Sequence, residues 1–227
     1  MSKGEHPDAD GDSAGNSAFD LAKLRLSLKL QRKSLTPERT REWSQAAAAR
    51  FADAMNGLAR FPQKVCLYHP LPGEPDPSFL EAVWEGRSLD RHYPRVADRA
   101  GGILEMAAVP APGQAGPVEW RSGPYGILEP GLKYAATPAP EIDLIIVPAL
   151  AVGERGERVG MGKGYYDRYL VEAPQALRVA LAFDFQVQKQ LPQQPWDQAV
   201  HWIVTETREI RLPALDAWWT RMALKKF

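Results

Sequence analysis

The chain is short of cysteine, of histidine, of long apolar runs and of any excess of charge. Cys66 is its single cysteine and there are four histidines, which excludes an internal disulfide and leaves no cluster with zinc-site spacing. Lys and Arg together number 28, as do Asp and Glu, so the formal net charge is zero. A neutral chain without a basic stripe disfavours nucleic acid as a partner. We expect Cys66, within an apolar strand pattern, to be buried and unreactive.

The apolar segments are too short to cross a bilayer, because the longest one, residues 144–152, contains Pro148. Residues 1–18 are rich in Gly, Ser, Asp and Ala and resemble neither a secretory signal nor a transit peptide. We expect a disordered tail over residues 1–18 and a single α/β domain over residues 19–227. We further expect a soluble, cytoplasmic monomer with no membrane partner.

The hydrophobic pattern alternates between strands and helices along the chain. Strands are predicted near residues 64–68, 91–96, 104–109, 142–147, 177–183 and 201–205. Helices are predicted near residues 19–30, 36–58, 77–84, 164–171 and 215–224. This alternation favours a three-layer α/β fold with a largely parallel sheet flanked by helices. Ligands of such sheets bind beyond the carboxyl ends of the strands.

The most informative segment is residues 158–168, which run Arg-Val-Gly-Met-Gly-Lys-Gly-Tyr-Tyr-Asp-Arg and which we call the glycine segment. Glycines alternate at positions 160, 162 and 164, with Lys163 between the last two. A backbone without Cβ at alternate positions can approach a phosphate closely and direct several N–H groups at it. A helix that begins near Tyr165 would add the positive end of its dipole. The segment therefore indicates a phosphorylated ligand, and a nucleotide fits best.

The spacing matches neither of the common phosphate motifs. A Walker loop requires a glycine where this chain has Glu157 and a Ser or Thr where it has Gly164. The dinucleotide fingerprint requires its third glycine at a different offset. A tight strand-to-helix turn without a ligand remains the alternative for a glycine triplet alone, whereas the adjoining Tyr-Tyr-Asp-Arg makes this triplet far more specific.

The longer segment around these glycines resembles a known family. Residues 143–148, Asp-Leu-Ile-Ile-Val-Pro, followed by residues 156–168, are similar to the characteristic segment of the 5-formyltetrahydrofolate cyclo-ligase family. Shorter segments agree in the family's order, and they are Leu24-Arg25 and residues 68–74, 93–96, 125–130, 195–197 and 204–206. The resemblance covers residues 20–207. It implies an α/β fold like that of sugar-phosphate isomerases and CoA transferases.

The resemblance also implies an activity. The family converts 5-formyltetrahydrofolate and ATP into 5,10-methenyltetrahydrofolate, ADP and phosphate, with magnesium. The route implied is phosphorylation of the formyl oxygen, attack by the folate N10 and loss of phosphate. Such chemistry requires positioning, a metal ion on the phosphates and donors directed at the transferring oxygens.

Carried over position by position, the resemblance implies a set of site residues. Catalytic roles fall to Arg158, Lys163 and Tyr165, of which the first two are charge partners of the phosphates. The residues implied to bind ATP are Lys23, Leu24, Arg25, Arg158, Val159, Gly160, Met161, Gly162, Lys163, Gly164, Tyr165 and Tyr166. Those implied to bind the folate are Leu71, Glu74, Tyr125, Glu129, Gly162, Lys163, Gly164, Tyr165 and Tyr166. Asp167 and Asp197 are implied as magnesium ligands, since one or two carboxylates with phosphate oxygens and waters suit this ion.

Each of these assignments has a plainer alternative. Asp167 could form an ion pair with Arg168, and Asp197 could be a turn residue after a proline. Glu74 could be an exposed loop acid, and Leu71 a core residue. The charges of Arg158 and Lys163 could be solvated at the surface.

The chain departs from the family's pattern at a few positions. Leu21 stands where the family often has a lysine, and Val152-Gly153 stands where it often has Phe-Asp. Met161 replaces a common Arg or Tyr. These departures leave open a folate- or nucleotide-binding paralogue with weak or no turnover. A sugar-phosphate isomerase or CoA transferase is a third alternative, but it would need a general base or a glutamate nucleophile that the sequence does not identify.

Overall fold

The computed structural model describes residues 13–56, 61–84, 86–111 and 113–224. The helices are α1 (Ser13–Ser34), α2 (Pro37–Asn56), α3 (Phe79–Val83), α4 (Tyr165–Glu172) and α5 (Pro213–Leu224). The strands are β1 (Lys64–Cys66), β2 (Asp90–Asp98), β3 (Ile103–Val109), β4 (Trp120–Ser122), β5 (Leu128–Pro130), β6 (Ala136–Thr137), β7 (Leu144–Ile146), β8 (Ala151–Gly153), β9 (Arg158–Val159), β10 (Leu177–Leu181), β11 (Val187–Gln188), β12 (Trp202–Val204) and β13 (Glu209–Arg211). Of the tail predicted over residues 1–18, residues 1–12 lie outside the described residues, and α1 begins at Ser13.

An eight-stranded sheet forms the centre of the fold, in the order β13-β12-β10-β7-β1-β2-β3-β6. The five adjacent strands from β12 to β2 run parallel to one another. The remaining strands, β13 at one edge and β3 and β6 at the other, pair antiparallel. The prediction of a largely parallel sheet in an α/β fold is thereby confirmed. The parallel strands place the segments that follow them at one common edge of the sheet.

Side chains of the parallel strands alternate between two hydrophobic clusters, one on each face of the sheet. The strands are buried on both faces, as the continuous apolar runs predicted. The face covered by α2, α3 and α5 includes Phe51, Val65, Leu144, Ile146, Val179, Val204 and Trp218. The opposite face, covered by α4, includes Cys66, Ile145, Val147, Ala180, Ile203, Tyr169 and Leu170. The helices and the sheet therefore form the three predicted layers.

The start of α2 follows from its local sequence. Pro37 occupies the first helical position, where a missing N–H costs nothing. The hydroxyl oxygen of Thr36 accepts the backbone N–H of Arg39 at 3.2 Å, as expected of a residue that caps a helix. The prediction of a helix start at this point is confirmed.

A smaller layer connects α1 to the glycine segment. Strands β8 and β9 pair antiparallel, and β11 pairs with β8, which gives a three-stranded sheet. Leu28 of α1 packs with Leu150, Ala151 and Val159 in a third cluster around this sheet. The helix α1 is thereby fixed against the strand that leads into the glycine segment.

Cys66 is completely buried on the α4 face of the sheet, as predicted. Burial raises the pKa of its thiol, because a thiolate would lose its hydration there. We expect the native protein to resist a thiol reagent such as Ellman's reagent at pH 8, and the denatured protein to react at once. Rapid labelling of the native protein at one thiol per chain would contradict this placement.

Within the described residues, no helix combines the length and the apolar character that crossing a membrane requires.

Candidate functional site

The glycine segment forms a tight connection between a strand and a helix at the edge of the sheet where the parallel strands end. It begins with β9 and ends in the first turn of α4, and Gly164 is the residue before that turn. Gly162 and Gly164 adopt positive φ angles of 85° and 67°, which glycine adopts without strain. A Cβ at Gly160 would lie 2.8 Å from a terminal nitrogen of Arg158, so a side chain there would crowd the guanidinium. The backbone therefore favours glycine at positions 162 and 164, and the guanidinium of Arg158 leaves little space for a side chain at position 160.

Lys163 lies between the two left-handed glycines and is exposed. Its carbonyl oxygen accepts a hydrogen bond from Arg168 at 2.7 Å, which fixes the backbone of the loop. In the described part of the chain, no residue pairs with its ammonium group. The charge is thus held beside the first turn of α4 and is available to an anion.

Arg158 and Asp167 form an ion pair behind the glycine segment. The Arg158 Nη2 atom lies 2.6 Å from Asp167 Oδ1, and the two side chains are 4% and 20% exposed. Arg158 Nη1 is directed at the carbonyl of Pro148 at 3.4 Å, and its Nε is buried without a partner among the described residues. The carboxylate of Asp167 therefore pairs with Arg158 across the loop and not with its sequence neighbour Arg168.

The two predicted magnesium ligands lie on neighbouring segments. The backbone N–H of Gln198 donates to Asp167 Oδ1 at 3.3 Å, which places Asp197, the preceding residue, close to Asp167. Asp197 Oδ2 accepts the N–H of Gln194 at 2.8 Å and so also closes its own turn. Among the described residues, no group of three or more His, Cys, Asp or Glu side chains converges as a metal site does. Two carboxylates completed by phosphate oxygens and waters fit magnesium, which prefers hard oxygen ligands.

Helix α1 places one of its three predicted residues at the loop. A terminal nitrogen of Arg25 lies 3.9 Å from the point where a Cβ of Gly162 would stand, and Arg25 Nε is buried without a partner among the described residues. Leu24 is half-buried in the cluster with Leu28, whereas Lys23 is exposed. Arg25 is therefore the α1 side chain that reaches the glycine segment.

Tyr165 and Tyr166 have different surroundings, although they are adjacent. Tyr165 is half-exposed, and Arg168 lies 6.0 Å from the centre of its ring. The hydroxyl of Tyr166 is buried without a hydrogen-bond partner in the described chain. Burial is the largest cause that raises the pKa of this phenol, and the carboxylate of Glu74 raises it further.

The Glu74 loop follows β1 and packs against the end of α1. Glu74 Oε1 pairs with Arg32 Nη2 at 2.9 Å, and Glu74 Oε2 accepts the backbone N–H of Leu71 at 2.9 Å. The side chain of Leu71 is half-buried, and Glu74 is buried. Glu74 is therefore held by protein partners and is not an exposed loop acid.

Tyr125 lies at the tip of the β4–β5 hairpin. It is 56% exposed and has a φ of 65°, a left-handed conformation that is costly for a residue with a Cβ. Glu129, on β5, is buried beneath this tip; its Oε1 atom accepts the N–H of Val96 at 3.2 Å. Burial raises the pKa of Glu129. Glu129 supports the hairpin, and Tyr125 presents its ring to solvent.

The turn between β2 and β3 connects the hairpin to the glycine segment. Arg168 Nε, from α4, donates to the carbonyl of Gly102 at 2.9 Å. Arg99, in the same turn, lies 6.0 Å from the centre of the Tyr125 ring. The structure thereby gathers the glycine segment, the Arg25 side chain, the Glu74 loop and the Tyr125 tip around the carboxyl ends of the strands.

A cavity of about 470 Å³ lies elsewhere, between α3, β2 and residues 109–120. Its walls include His69, Tyr93 and Trp120, whose rings pack at centroid distances of 4.3 to 5.1 Å. None of the predicted ATP, folate or magnesium residues lines it. The predicted residues lie outside this cavity, around the carboxyl ends of the parallel strands. We call this region, between the glycine segment, the Glu74 loop and the Tyr125 tip, the cleft.

Sequence reasoning missed two contributors to this site. Arg32 was not singled out, although it lies seven residues after Arg25 and so on the same face of a helix. Arg168 is part of the glycine segment, and the sequence indicates for it only a pairing with Asp167. In the structure Arg168 donates to the backbone carbonyls of Gly102 and Lys163. Gly102 is far away in sequence, and a bond to a backbone carbonyl leaves no pattern of side chains in the sequence.

The strain at Tyr125 gives a stability prediction. Alanine at this position keeps the unfavourable positive φ, whereas glycine removes it. We expect Tyr125→Gly to be more stable than Tyr125→Ala by about 1 kcal/mol, although glycine is the more flexible residue when unfolded. Urea unfolding of the two variants measures the difference. Equal stabilities, or a more stable alanine variant, would mean that the tip adopts another conformation.

Comparison with known proteins gives a consistent result. The model of the 5-formyltetrahydrofolate cyclo-ligase family matches residues 20–206. A 5-formyltetrahydrofolate cyclo-ligase of Mycolicibacterium smegmatis is 34% identical over 199 residues, which cover 83% of this chain and 95% of that protein. The protein of the same name from Escherichia coli is 29% identical, and the match covers 80% of this chain and 97% of that protein. The solved structure of 5,10-methenyltetrahydrofolate synthetase from Aquifex aeolicus has a TM-score of 0.66 and 30% identity, and the match covers 85% of this chain and 92% of that one.

Proposed function

The chain belongs to the 5-formyltetrahydrofolate cyclo-ligase family, and we propose that it converts 5-formyltetrahydrofolate and ATP into 5,10-methenyltetrahydrofolate, ADP and phosphate, with Mg²⁺. The observation that carries this proposal is the glycine segment. It presents an exposed Lys163, whose ammonium group has no partner among the described residues, between two left-handed glycines at the start of α4. Backbone N–H groups, a cation and a helix start in one place are suited to a triphosphate.

The proposed reaction proceeds by phosphoryl transfer followed by ring closure. The formyl oxygen forms a bond to the γ-phosphorus of ATP, and the bond to the bridging oxygen breaks, with its electron pair leaving on ADP. N10 of the folate then attacks the formyl carbon and gives up its proton, and phosphate leaves with the former formyl oxygen. The protein has little covalent work in such a route, so orientation and charge stabilisation carry the catalysis.

The nucleotide side of the cleft supplies the charge. Lys163 interacts with the transferring phosphoryl group, and the backbone N–H groups of the glycine segment cradle the phosphates. Arg25 approaches from α1 beside Gly162. Arg158 is held by Asp167 and contributes positive charge from behind the loop. We propose that Val159, Gly160, Met161 and Gly164 line the ATP, and that Lys23 and Leu24 border it.

The folate side of the cleft supplies hydrogen-bond acceptors and flat surfaces. Glu74 has two oxygens that are already oriented by Arg32 and Leu71. A carboxylate has about four acceptor sites, so it retains capacity for pterin N–H groups. The exposed ring of Tyr125 and the half-exposed ring of Tyr165 offer faces to the pterin. We propose that Tyr166, Leu71 and Glu129 shape the pocket.

We propose that Asp167 and Asp197 hold the magnesium ion. The ion, when bound, neutralises negative charge on the phosphates. Asp167 has a second role that its geometry supports, since it pairs with the buried guanidinium of Arg158. The residue would thereby connect the metal to the glycine segment.

Three of the departures from the family pattern, Leu21, Val152 and Gly153, lie in packing positions and are compatible with an enzyme, whereas Met161 is exposed within the glycine segment. Leu21 packs on the cluster around Leu28. Val152 is completely buried, and a Cβ at Gly153 would overlap the carboxylate of Glu157, so this glycine suits its own hairpin. These substitutions leave the geometry of the glycine segment intact.

We propose that residues 19–227 act as one domain and as a monomer in the cytoplasm, with 5-formyltetrahydrofolate and MgATP as partners. The zero net charge supports a small-molecule role over nucleic-acid binding. A single, buried cysteine suits a reducing compartment.

The proposed function is tested by following the absorbance of the methenyl product. Purified protein, 5-formyltetrahydrofolate, ATP and Mg²⁺ are mixed near neutral pH. We expect product to form, and to stop forming when ATP is omitted or Mg²⁺ is chelated. Binding of the folate without any turnover would instead support the paralogue.

A further inference from the structure

Arg32 and Glu74 form the buried ion pair that joins α1 to the folate side of the cleft. Their side chains are 7% and 8% exposed, and Arg32 Nη2 lies 2.9 Å from Glu74 Oε1. The backbone of the loop also follows α1 closely: Gly73 has a φ of 76°, and a Cβ there would lie 2.5 Å from the carbonyl oxygen of Arg32. Side chain and backbone of one residue therefore both determine where this loop lies.

The pair sets the direction of the Glu74 carboxylate. Arg32 occupies Oε1, and the N–H of Leu71 occupies Oε2. A carboxylate fixed at both oxygens cannot rotate freely, so its remaining acceptor sites point in defined directions. Because a buried carboxylate without a countercharge is strongly unfavourable, the arginine is required for the acid to remain buried in this orientation.

The same helix touches the nucleotide side. Arg25 precedes Arg32 by seven residues, two helical turns, or about 10.5 Å along the axis. Leu28, between them, is 2% exposed and packs on Leu150 and Val159, so the three residues form one inward face. Arg25 reaches Gly162 at one end of this face, and Arg32 reaches Glu74 at the other.

We propose that Arg32 is a positioning residue for the folate, which acts through Glu74. We also propose that α1 sets the distance between the Glu74 carboxylate and the glycine segment. Arg32 does not touch substrate in this account. It orients the acceptor that does. The inference rests on the proposed function, because it assigns Glu74 to the folate.

The test compares Arg32→Met and Arg32→Lys with the wild type. We expect Arg32→Met to raise KM for 5-formyltetrahydrofolate by about 10- to 100-fold, since a buried charge loses its partner. KM for MgATP should change by less than about threefold, because the glycine segment keeps Lys163 and Arg25. Arg32→Lys should recover part of the loss, as it restores the charge without the planar fork. Arg39→Met, which removes an exposed arginine on α2 paired with Glu42, is the matched control and should leave both constants unchanged.

Two further variants separate positioning from folding. Glu74→Gln alone should raise KM for the folate, and Arg32→Met added to Glu74→Gln should raise it no further, because the group to be oriented is already gone. The double variant has no unpaired Glu74 carboxylate in the protein interior. It can therefore replace Arg32→Met in the comparison if that single variant does not fold. A further tenfold loss in the double variant, or an equal rise in KM for MgATP in any of these variants, would overturn the inference.

A failure of the proposed function has a different appearance. A wild-type protein that neither turns over nor binds 5-formyltetrahydrofolate overturns that function and this inference with it. If the wild type binds without turnover, the dissociation constant from calorimetry replaces KM in the same comparison.

Discussion

Replacement of Lys163 by alanine should reduce kcat by about 100- to 1,000-fold, the effect of losing one preorganised charge or donor at a transition state. The reason is its position: the ammonium group is exposed beside the start of α4, and its backbone is fixed by Arg168. Stability should change little, because no described residue pairs with this side chain. Initial rates at saturating substrates, together with a thermal unfolding curve, measure both effects.

Lys133→Ala is the matched control for this prediction. Lys133 is also an exposed lysine, but it pairs with Glu119 at 3.1 Å, in a segment that follows β5. Its loss should leave kcat unchanged. An equal effect of the two substitutions would mean that Lys163 has no special role, and retention of full activity in Lys163→Ala would remove the phosphate assignment.

Replacement of Asp167 by asparagine should have two effects at once. Activity should fall by about 100-fold or more, because the proposed metal ligand and the orientation of Arg158 are both impaired. The free energy of unfolding should fall by about 2 kcal/mol, because the buried guanidinium of Arg158 loses its countercharge. Magnesium titration of the initial rate and urea unfolding measure the two effects separately.

Asp197→Asn distinguishes the two roles of Asp167. Asp197 pairs with a backbone N–H of its own turn, and no buried arginine in the described part of the chain pairs with it. We expect Asp197→Asn to raise the magnesium requirement while it costs less stability than Asp167→Asn. If Asp167→Asn unfolds like the wild type, the pair with Arg158 does not form in solution.

The central layer of the fold was predictable because its strands are continuous apolar runs. The pattern over residues 142–147 and 177–183 requires burial on both faces, and both runs contain strands of the parallel sheet. The β8–β9 hairpin and the β4–β5 hairpin were not predicted. Strands of two or three residues, such as β9, are shorter than the window in which alternation can be recognised.

The site was predictable where one segment carries it and unpredictable where segments meet. The turn of the glycine segment can be predicted from its own sequence, because Gly162 and Gly164 adopt the positive φ angles that the turn needs. The pairing of Asp167 with Arg158 in place of Arg168, and of Glu74 with Arg32, depends on how separate elements pack. Such contacts between distant residues have no periodicity in one sequence, so only the structure identifies them.

We propose that the glycine segment couples ATP cleavage to ring closure of the folate. Coupling is measured by counting the ADP released and the methenyl product formed in the same reaction. The wild type should give one ADP for each methenyl group, and Lys163→Ala should lose both together. Methenyl formation without ADP, or ADP release that does not depend on 5-formyltetrahydrofolate, would contradict the claim.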